Sequence, residues 1–227
     1  MRIDKYLSDL KIEQRSKVNK YLLSHEVRVD GVIVKSKDFK FDPSQHELSI
    51  DQQIIPYVNE IHLVLYKPIG YLSAHKDLLH QTVFTLLKSP YNHYDFKIAG
   101  RLDLDAEGLL ILTTDGKFVH EITHPKKHLD KIYEVTLDKV FMEHEKLIQG
   151  VMINDEFNQP YLAKAKHVSV ENLVANITID MGKFHQVKRM FQSLGYDVIK
   201  LKRTKIGNLD LRDLEEGTYY PFRKEEL

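Results

Sequence analysis

Gly100-Arg101-Leu102-Asp103-Leu104-Asp105-Ala106-Glu107-Gly108 runs directly into the apolar segment Leu109-Leu110-Ile111-Leu112-Thr113. Glycines bracket carboxylates at alternate positions, a pattern that predicts a tight loop followed by a buried strand. Three interpretations of the acids are open: a calcium loop, a carboxylate acting at a glycosidic bond, and a solvated turn between strands. The calcium pattern breaks at its twelfth position, where Thr114 stands in place of glutamate.

Length and composition define the class of protein. The chain has 227 residues, of which 42% are hydrophobic, so it can form one large domain or two small ones. The charged N-terminus lacks the apolar core of a signal peptide, and no apolar run approaches the length of a membrane span. A cytoplasmic protein without membrane association is expected. The absence of cysteine excludes disulfides, thiolate zinc sites and cysteine nucleophiles.

Basic residues are unevenly distributed along a chain of zero net charge. Residues 1–40 contain ten Lys and Arg against six Asp and Glu, and residues 181–206 contain seven against Asp197 alone. Two basic segments on a neutral chain indicate a polyanionic partner such as RNA. The alternative for each segment is a solvated helix face or an edge strand protected by lysines.

The N-terminal residues predict a small module of two helices and a hairpin. Apolar residues at positions 3, 6, 7 and 10 form one helical stripe, and Ser16 is the predicted N-cap of a second helix. Alternating valines around Asp30-Gly31 predict a two-residue hairpin turn. Residues 51–60, polar and containing Pro56, are the predicted linker to a second domain.

Residues 60–227 predict a domain dominated by strands, because apolar residues alternate in most of its segments. The acidic loop then joins two strands inside one sheet. Three segments have apolar residues at helical spacing and are predicted to be helices. Gly195 is the predicted C-cap of the last one. The predicted strands are 61–66, 96–99, 109–113, 132–137, a hairpin of 162–170 with 173–181, 198–201 and 209–211, and the predicted helices are 82–87, 141–148 and 186–194.

His120, His124 and His128 raise the possibility of a zinc site, because a spacing of four on a helix suits metal ligation. Pro125 should end any helix between them. A chain with 12 histidines also shows such spacings by chance. We therefore expect no metal site here.

Several ordered motifs resemble known families. Arg2-Ile3-Asp4-Lys5 and Val27-Arg28-Val29-Asp30-Gly31-Val32-Ile33-Val34 resemble the small RNA-binding domain first known from ribosomal protein S-four. The second domain contains five ordered motifs: Gly100-Arg101-Leu102-Asp103, residues 108–116, Lys131-Ile132-Tyr133, residues 185–191 and residues 201–207. Together they resemble the pseudouridine synthases of the RsuA type, which act on ribosomal RNA. The sequence His185-Gln186-Val187-Lys188 of the last predicted helix is similar to that of the small-subunit 16S branch of this family, whereas large-subunit relatives more often have Arg-Gln-Val-Arg.

The resemblance implies an α+β fold with two domains. A small N-terminal α/β RNA-binding domain of the S-four type would occupy residues 1–55. A catalytic domain with a mainly antiparallel mixed sheet and flanking helices would occupy residues 60–227. The implied reaction converts one uridine of ribosomal RNA, in the small subunit, to pseudouridine, and it needs no cofactor or metal. A large-subunit target and a noncatalytic RNA-binding protein of ribosome assembly are the alternatives.

The same resemblance assigns roles to individual residues. Asp103 would attack or stabilise the sugar carbon, and Lys188 would form an ion pair with it. Tyr133 would stack on the flipped uracil, and a role as a base is open. Asp105 and Glu107 are expected to shape the loop or face solvent.

The remaining assignments concern binding. The expected partner is ribosomal RNA or a pre-ribosomal small-subunit particle, and the expected oligomeric state is a monomer. Substrate binding is assigned to Arg101, His185, Gln186 and Leu201, and RNA binding to Arg2, Arg15, Lys17, Lys20, Lys183, Arg189 and Arg203.

Overall fold

The computed structural model of the chain describes residues 1–55, 60–124 and 127–227. It divides into two units, the first formed by Met1–Ile61 with Leu87–Phe96 and the second by His62–Leu86 with Lys97–Leu227. Pro56 of the expected linker and Pro125 between the histidines lie outside the described residues. Across the described ranges, no helix is long and apolar enough to cross a membrane.

The first unit packs two helices against a four-stranded antiparallel sheet in the order β2-β1-β3-β4. The predicted hairpin at Asp30-Gly31 is confirmed, with φ angles of 46° and 77° at the turn residues. Both angles are positive, as a two-residue hairpin turn of this kind requires. The elements are α1 (Ile3–Asp9), α2 (Val18–Ser24), β1 (Val27–Val29), β2 (Val32–Ile33), β3 (Leu48–Ile50) and β4 (Gln53–Ile55).

Two predictions for this unit are corrected. Ser16 is not an N-cap, because it lies inside a 3₁₀ turn, Arg15–Lys17, and α2 begins only at Val18. The predicted linker does not begin at residue 51. Asp51 and Gln52 form a turn with positive φ, after which β4 returns along β3.

The second unit is built on a nine-stranded mixed sheet whose main path runs β11-β12-β8-β13-β7-β5-β15, with β6 on β7 and β14 on β13. Among the described strands, β13 with β7 is the parallel pair, and the other pairings are antiparallel. The strands are β5 (His62–Lys67), β6 (Lys97–Ala99), β7 (Glu107–Thr113), β8 (Lys131–Leu137), β9 (Val151–Asn154), β10 (Pro160–Ala163), β11 (His167–Glu171), β12 (Val174–Ile179), β13 (Val198–Ile206), β14 (Leu209–Asp210) and β15 (Tyr219–Pro221), and the helices are α3 (Gly116–Thr123), α4 (His144–Gln149) and α5 (Gln186–Gln192).

The strand after the acidic loop lies in the interior of this sheet. Every residue of β5 and β7 is buried, because both faces of these strands are covered. On one face, Phe118 and Ile122 of α3 pack against Leu109 and Ile111 of β7. The predicted buried strand is thus confirmed, and it anchors the C-terminal end of the loop.

The predicted hairpin of residues 162–170 with 173–181 is wrong in its first arm. Leu162 and Ala163 belong to β10, which pairs with β9 in a separate two-stranded sheet. Of the predicted first arm, the part that pairs with β12 is β11. Helix α3 and strand β15 were not predicted. The side chain of Asp115 caps α3 by accepting a hydrogen bond from the backbone N–H of Lys117 at 2.8 Å.

Gly108 permits the close approach of β7 and β13. It has a φ of +113°, and a Cβ placed there would lie 2.2 Å from the carbonyl oxygen of Arg203. The Gly108→Ala substitution should therefore reduce the free energy of unfolding by on the order of 3 kcal/mol. Chemical denaturation monitored by circular dichroism measures this loss.

Gly116→Ala is the matched control for that substitution. Its Cβ would meet Lys97 Cε at 3.5 Å, an ordinary contact at the start of α3. Alanine favours helix over glycine by about 1 kcal/mol, so this variant should be at least as stable as the wild type. Equal stability of the two variants would contradict the argument from close approach.

Candidate active site

A cleft of about 860 Å³ in the second unit is bordered by the loop that joins β6 to β7. Arg101 and Asp103 of the loop line it, together with Tyr133 of β8 and with Leu201 and Arg203 of β13. The segment that enters α5 adds Lys183, His185 and Gln186. The fold therefore brings together residues that lie about a hundred positions apart in the sequence.

The carboxylate of Asp103 lies between two nitrogen groups. Nε2 of His185 is 3.3 Å from Oδ1, and Nζ of Lys188 is 3.7 Å from Oδ2. The Asp103 side chain is 27% exposed, so it is sheltered from bulk water yet reachable by a ligand in the cleft. An anionic oxygen oriented in this way can act as a nucleophile or stabilise positive charge on a sugar.

Lys188 is shared between two carboxylates. Its Nζ lies 2.5 Å from Oδ1 of Asp105, closer than the 3.7 Å to Asp103. The hydrogen bond from Lys188 lowers the pKa of the Asp105 carboxyl, although burial opposes the shift. The expected contact of Lys188 with Asp103 is present, and Asp105 holds the same ammonium group on its other side.

Glu107 is buried at the first position of β7 and does not face solvent. It accepts a hydrogen bond from the Tyr66 hydroxyl at 3.1 Å and forms an ion pair with Lys200 at 3.2 Å. The hydrogen bond that Lys200 donates to Glu107 raises the pKa of Lys200. The carboxylates of the loop are paired with lysines of the chain, Asp103 and Asp105 with Lys188 and Glu107 with Lys200, which does not support the calcium interpretation.

The histidines of the zinc interpretation are separated. His120 lies in α3, His124 follows its last residue, and Nδ1 of His128 is 2.9 Å from Asp180 Oδ2. In the part of the chain that the structure describes, no group of three His, Asp or Glu residues could hold a metal ion.

Tyr133 and Leu201 form an apolar part of the cleft. Both are nearly buried, at 6% and 5% exposure, and both line it. Burial alternates along β8, which places Tyr133 on the face opposite to Ile132 and Glu134. A flat ring and a branched aliphatic side chain provide surfaces on which a nucleobase can stack.

The residues expected to bind RNA occupy different environments. Arg15, Lys17 and Lys20 are exposed on the first unit, although Arg15 also contacts the buried carboxylate of Asp4 at 3.0 Å. Arg2 contacts the same carboxylate at 2.8 Å. The pKa of Asp4 falls to about 2, chiefly through the hydrogen bond from Arg2.

In the second unit, the prediction that Arg203 contacts RNA phosphates is corrected. Arg203 is 2% exposed and donates hydrogen bonds to backbone carbonyls, so it cannot belong to a basic surface. Lys183 lies over the ring of Tyr161 at 3.8 Å, and Arg189 donates to the carbonyl of Asn154 at 2.6 Å. Both remain partly exposed, Lys183 just before α5 and Arg189 in its last turn.

Two residues that support the loop were not predicted as site residues. Lys67, fully buried at the end of β5, donates to the carbonyl of Ala106 at 2.6 Å and of Leu104 at 3.5 Å. The hydroxyl of Ser73 donates to the carbonyl of Leu102 at 2.8 Å. The Lys67-Pro68-Ile69-Gly70 sequence was a signal for the first, whereas nothing in the sequence distinguishes Ser73.

Burial lowers the pKa of Lys67 to about 8 from an ordinary value of 10.5, even though the charge of Asp103 opposes the shift. Between pH values of about 8 and 10.5, Lys67 is largely protonated in the unfolded chain and largely deprotonated in the folded chain. Rising pH therefore favours the folded state in this interval. We expect the unfolding temperature of the wild type to rise relative to that of Lys67→Met across this interval. Calorimetry at a series of pH values measures the difference.

Lys139→Met, which removes an exposed lysine of the same unit, is the control for this experiment. Its unfolding temperature should run parallel to that of the wild type through the same pH interval. Parallel curves for Lys67→Met as well would contradict the lowered pKa.

Comparison with known proteins gives consistent matches. Residues 61–193 match the family model described as RNA pseudouridylate synthase. The chain is 37% identical to ribosomal small subunit pseudouridine synthase A of Pasteurella multocida, over all of this chain and 98% of that protein. It is 33% identical to the protein of the same name from Escherichia coli, over all of this chain and 98% of that protein.

A solved structure agrees with these matches. A crystal structure of a pseudouridylate synthase is 32% identical in sequence and superposes with a TM-score of 0.67. The match covers all of this chain and 97% of that one.

Proposed function

Because this chain belongs to the RNA pseudouridylate synthase family, we propose that it converts one uridine of small-subunit ribosomal RNA to pseudouridine. The observation that carries the proposal is the Asp103 carboxylate in the cleft, with His185 at 3.3 Å and Lys188 at 3.7 Å. The names of the Pasteurella multocida and Escherichia coli relatives support the small subunit as the source of the RNA.

The reaction is an isomerisation in which the base leaves and rejoins the same sugar. The bond between the ribose carbon and a ring nitrogen of uracil breaks, the base rotates, and a ring carbon bonds to the sugar. The proton on that carbon is lost, and the freed nitrogen gains one. Asp103 is the group that attacks or stabilises the sugar carbon while the base is detached.

The rest of the cleft holds the detached base. A uridine inside a duplex must first be extruded, at a cost on the order of a few kcal/mol. Tyr133 stacks on the extruded uracil, and Leu201 packs on it. Arg101, His185 and Gln186, which line the same cleft, hold the flipped nucleotide. Phosphate contacts offset the cost of extrusion, with Lys183 and Arg189 as their donors in the second unit.

The N-terminal unit is proposed to be an RNA-binding domain of the S-four type, spanning residues 1–55, with the catalytic domain at 60–227. Two helices followed by a hairpin support this assignment, as do the exposed basic side chains of Arg15, Lys17 and Lys20. Arg2 is assigned to the same RNA-binding surface. The protein would act as a monomer in the cytoplasm, on ribosomal RNA or a pre-ribosomal small-subunit particle.

Asp103→Asn tests the catalytic proposal. It keeps the shape of the side chain but removes the anionic oxygen, so the rate of pseudouridine formation should fall by about 10,000-fold or more. RNA affinity should be unchanged. The measurement is pseudouridine mapping in unmodified small-subunit RNA, in early small-subunit particles and in unmodified large-subunit RNA, with Asp105→Asn as the matched control that loses much less activity.

Each alternative has its own outcome in this experiment. Modification of large-subunit RNA alone would overturn the proposed target. RNA binding with equal pseudouridine content in the wild type and Asp103→Asn would identify a noncatalytic RNA-binding protein.

The basic surface of the first unit is tested by the double variant Lys17→Ala, Lys20→Ala. If both lysines contact phosphates, RNA affinity should fall in the double variant. The negative slope of log affinity against log salt should also become shallower by about 1.5. Filter binding at several salt concentrations measures the slope. The control variant Lys139→Ala, Lys146→Ala removes the same charge from exposed positions of the second unit. An equal change in both variants would argue against a specific surface.

A further inference from the structure

We propose that Arg203 is a positioning residue, which holds the Asp103 loop and the Tyr133 side chain in their places within the cleft. The inference rests on the proposed function, because it concerns the same site. It also replaces the RNA contact predicted from the sequence with a role inside the protein.

The guanidinium of Arg203 is directed at the loop backbone. Its Nη2 donates to the carbonyl of Gly100 at 2.6 Å, and its Nη1 is 3.4 Å from the carbonyl of Arg101. These two residues come shortly before Asp103 in the loop. Nε donates to the carbonyl of Leu109 at 2.8 Å, on the strand that follows the loop. One side chain therefore links both ends of the segment that carries the carboxylate.

The same guanidinium contacts the residue assigned to stack on the base. Nη1 is 3.4 Å from the hydroxyl oxygen of Tyr133, and the guanidinium carbon is 5.9 Å from the centre of its ring. Arg203 and Tyr133 are direct partners in the register of β13 and β8. A shift of the guanidinium would thus alter the loop and the stacking surface together.

Arginine is suited to this position by its shape. Its planar group has five N–H donors in a fixed fork, so it can bind several carbonyls in different directions. A lysine ammonium has three donors at one point and a rotating stem, and it cannot reach all of these acceptors together. Lysine should therefore replace only part of the arginine function.

The strand register explains how the side chain reaches the loop. Arg203 is the parallel partner of Gly108, whose missing Cβ lets the two backbones approach. The Arg203 side chain then reaches the backbone at the start of the loop and in the strand that follows it. A hydrophobic residue at 203 would leave these carbonyls without their donors.

The test compares Arg203→Met and Arg203→Lys with the wild type. A displacement of about 1 Å at a reacting group costs on the order of 100-fold in rate, so kcat should fall by about that factor in Arg203→Met and by less in Arg203→Lys. KM and RNA affinity should be unchanged in both variants. Arg212→Met, an exposed arginine of the same unit, is the control and should retain wild-type kcat.

Amide hydrogen exchange supplies a measurement that does not depend on activity. Exchange of residues 100–106 should accelerate in Arg203→Met, whereas exchange of α4, which lacks contact with Arg203 in the described structure, should not. This result would support the inference even if the wild type modified no uridine, which would defeat only the proposed function.

Three results would overturn the inference. Weaker RNA affinity with unchanged kcat would return Arg203 to the RNA-binding residues. Faster exchange throughout the second unit would indicate a general loss of stability. Wild-type kcat and loop exchange in Arg203→Met would show that the guanidinium has no effect on the loop.

Discussion

The parallel pairing of β7 with β13 is the contact on which the cleft depends. It joins Gly108, the second residue of the strand that follows the acidic loop, to Arg203, almost a hundred residues later in the chain. Strand β13 also pairs with β8, so the same strand sets the loop, Leu201 and Tyr133 side by side. The register of β13 with β7 and β8 therefore determines how far apart the loop, Leu201 and Tyr133 lie in the cleft.

The longest apolar elements of the fold could be predicted from the sequence. Strand β8 and helix α5 have periodic patterns of apolar residues, of period two and of helical spacing respectively, and β5 and β7 are apolar runs whose short length favours strands. The order of the strands could not be predicted, because β13 pairs with segments far away in sequence. Helix α3 was within reach, since Asp115 is an N-cap and Phe118 and Ile122 are one turn apart. The pairing of β9 with β10 had no comparable signal.

In the candidate site, the sequence indicated the carboxylate but not the buried basic residues that support it. Asp103 was proposed from its motif, and its place in the cleft is consistent with that proposal. Lys67 and Arg203 show where sequence reasoning failed, because long basic side chains are usually exposed and their burial depends on tertiary packing. The helical lysine Lys188 also gained an unexpected second partner, Asp105, from a loop that the sequence could not orient.

The loop is supported through its backbone. Lys67 and Arg203 donate to carbonyls of Gly100, Leu104 and Ala106, and these groups are the same whatever side chains the residues carry. The exposed side chain of Arg101 takes no part in these hydrogen bonds, so the contacts that locate the carboxylate do not depend on it. The position of the carboxylate is thus fixed by main-chain contacts, and the side chains that the loop exposes to the cleft are independent of that support.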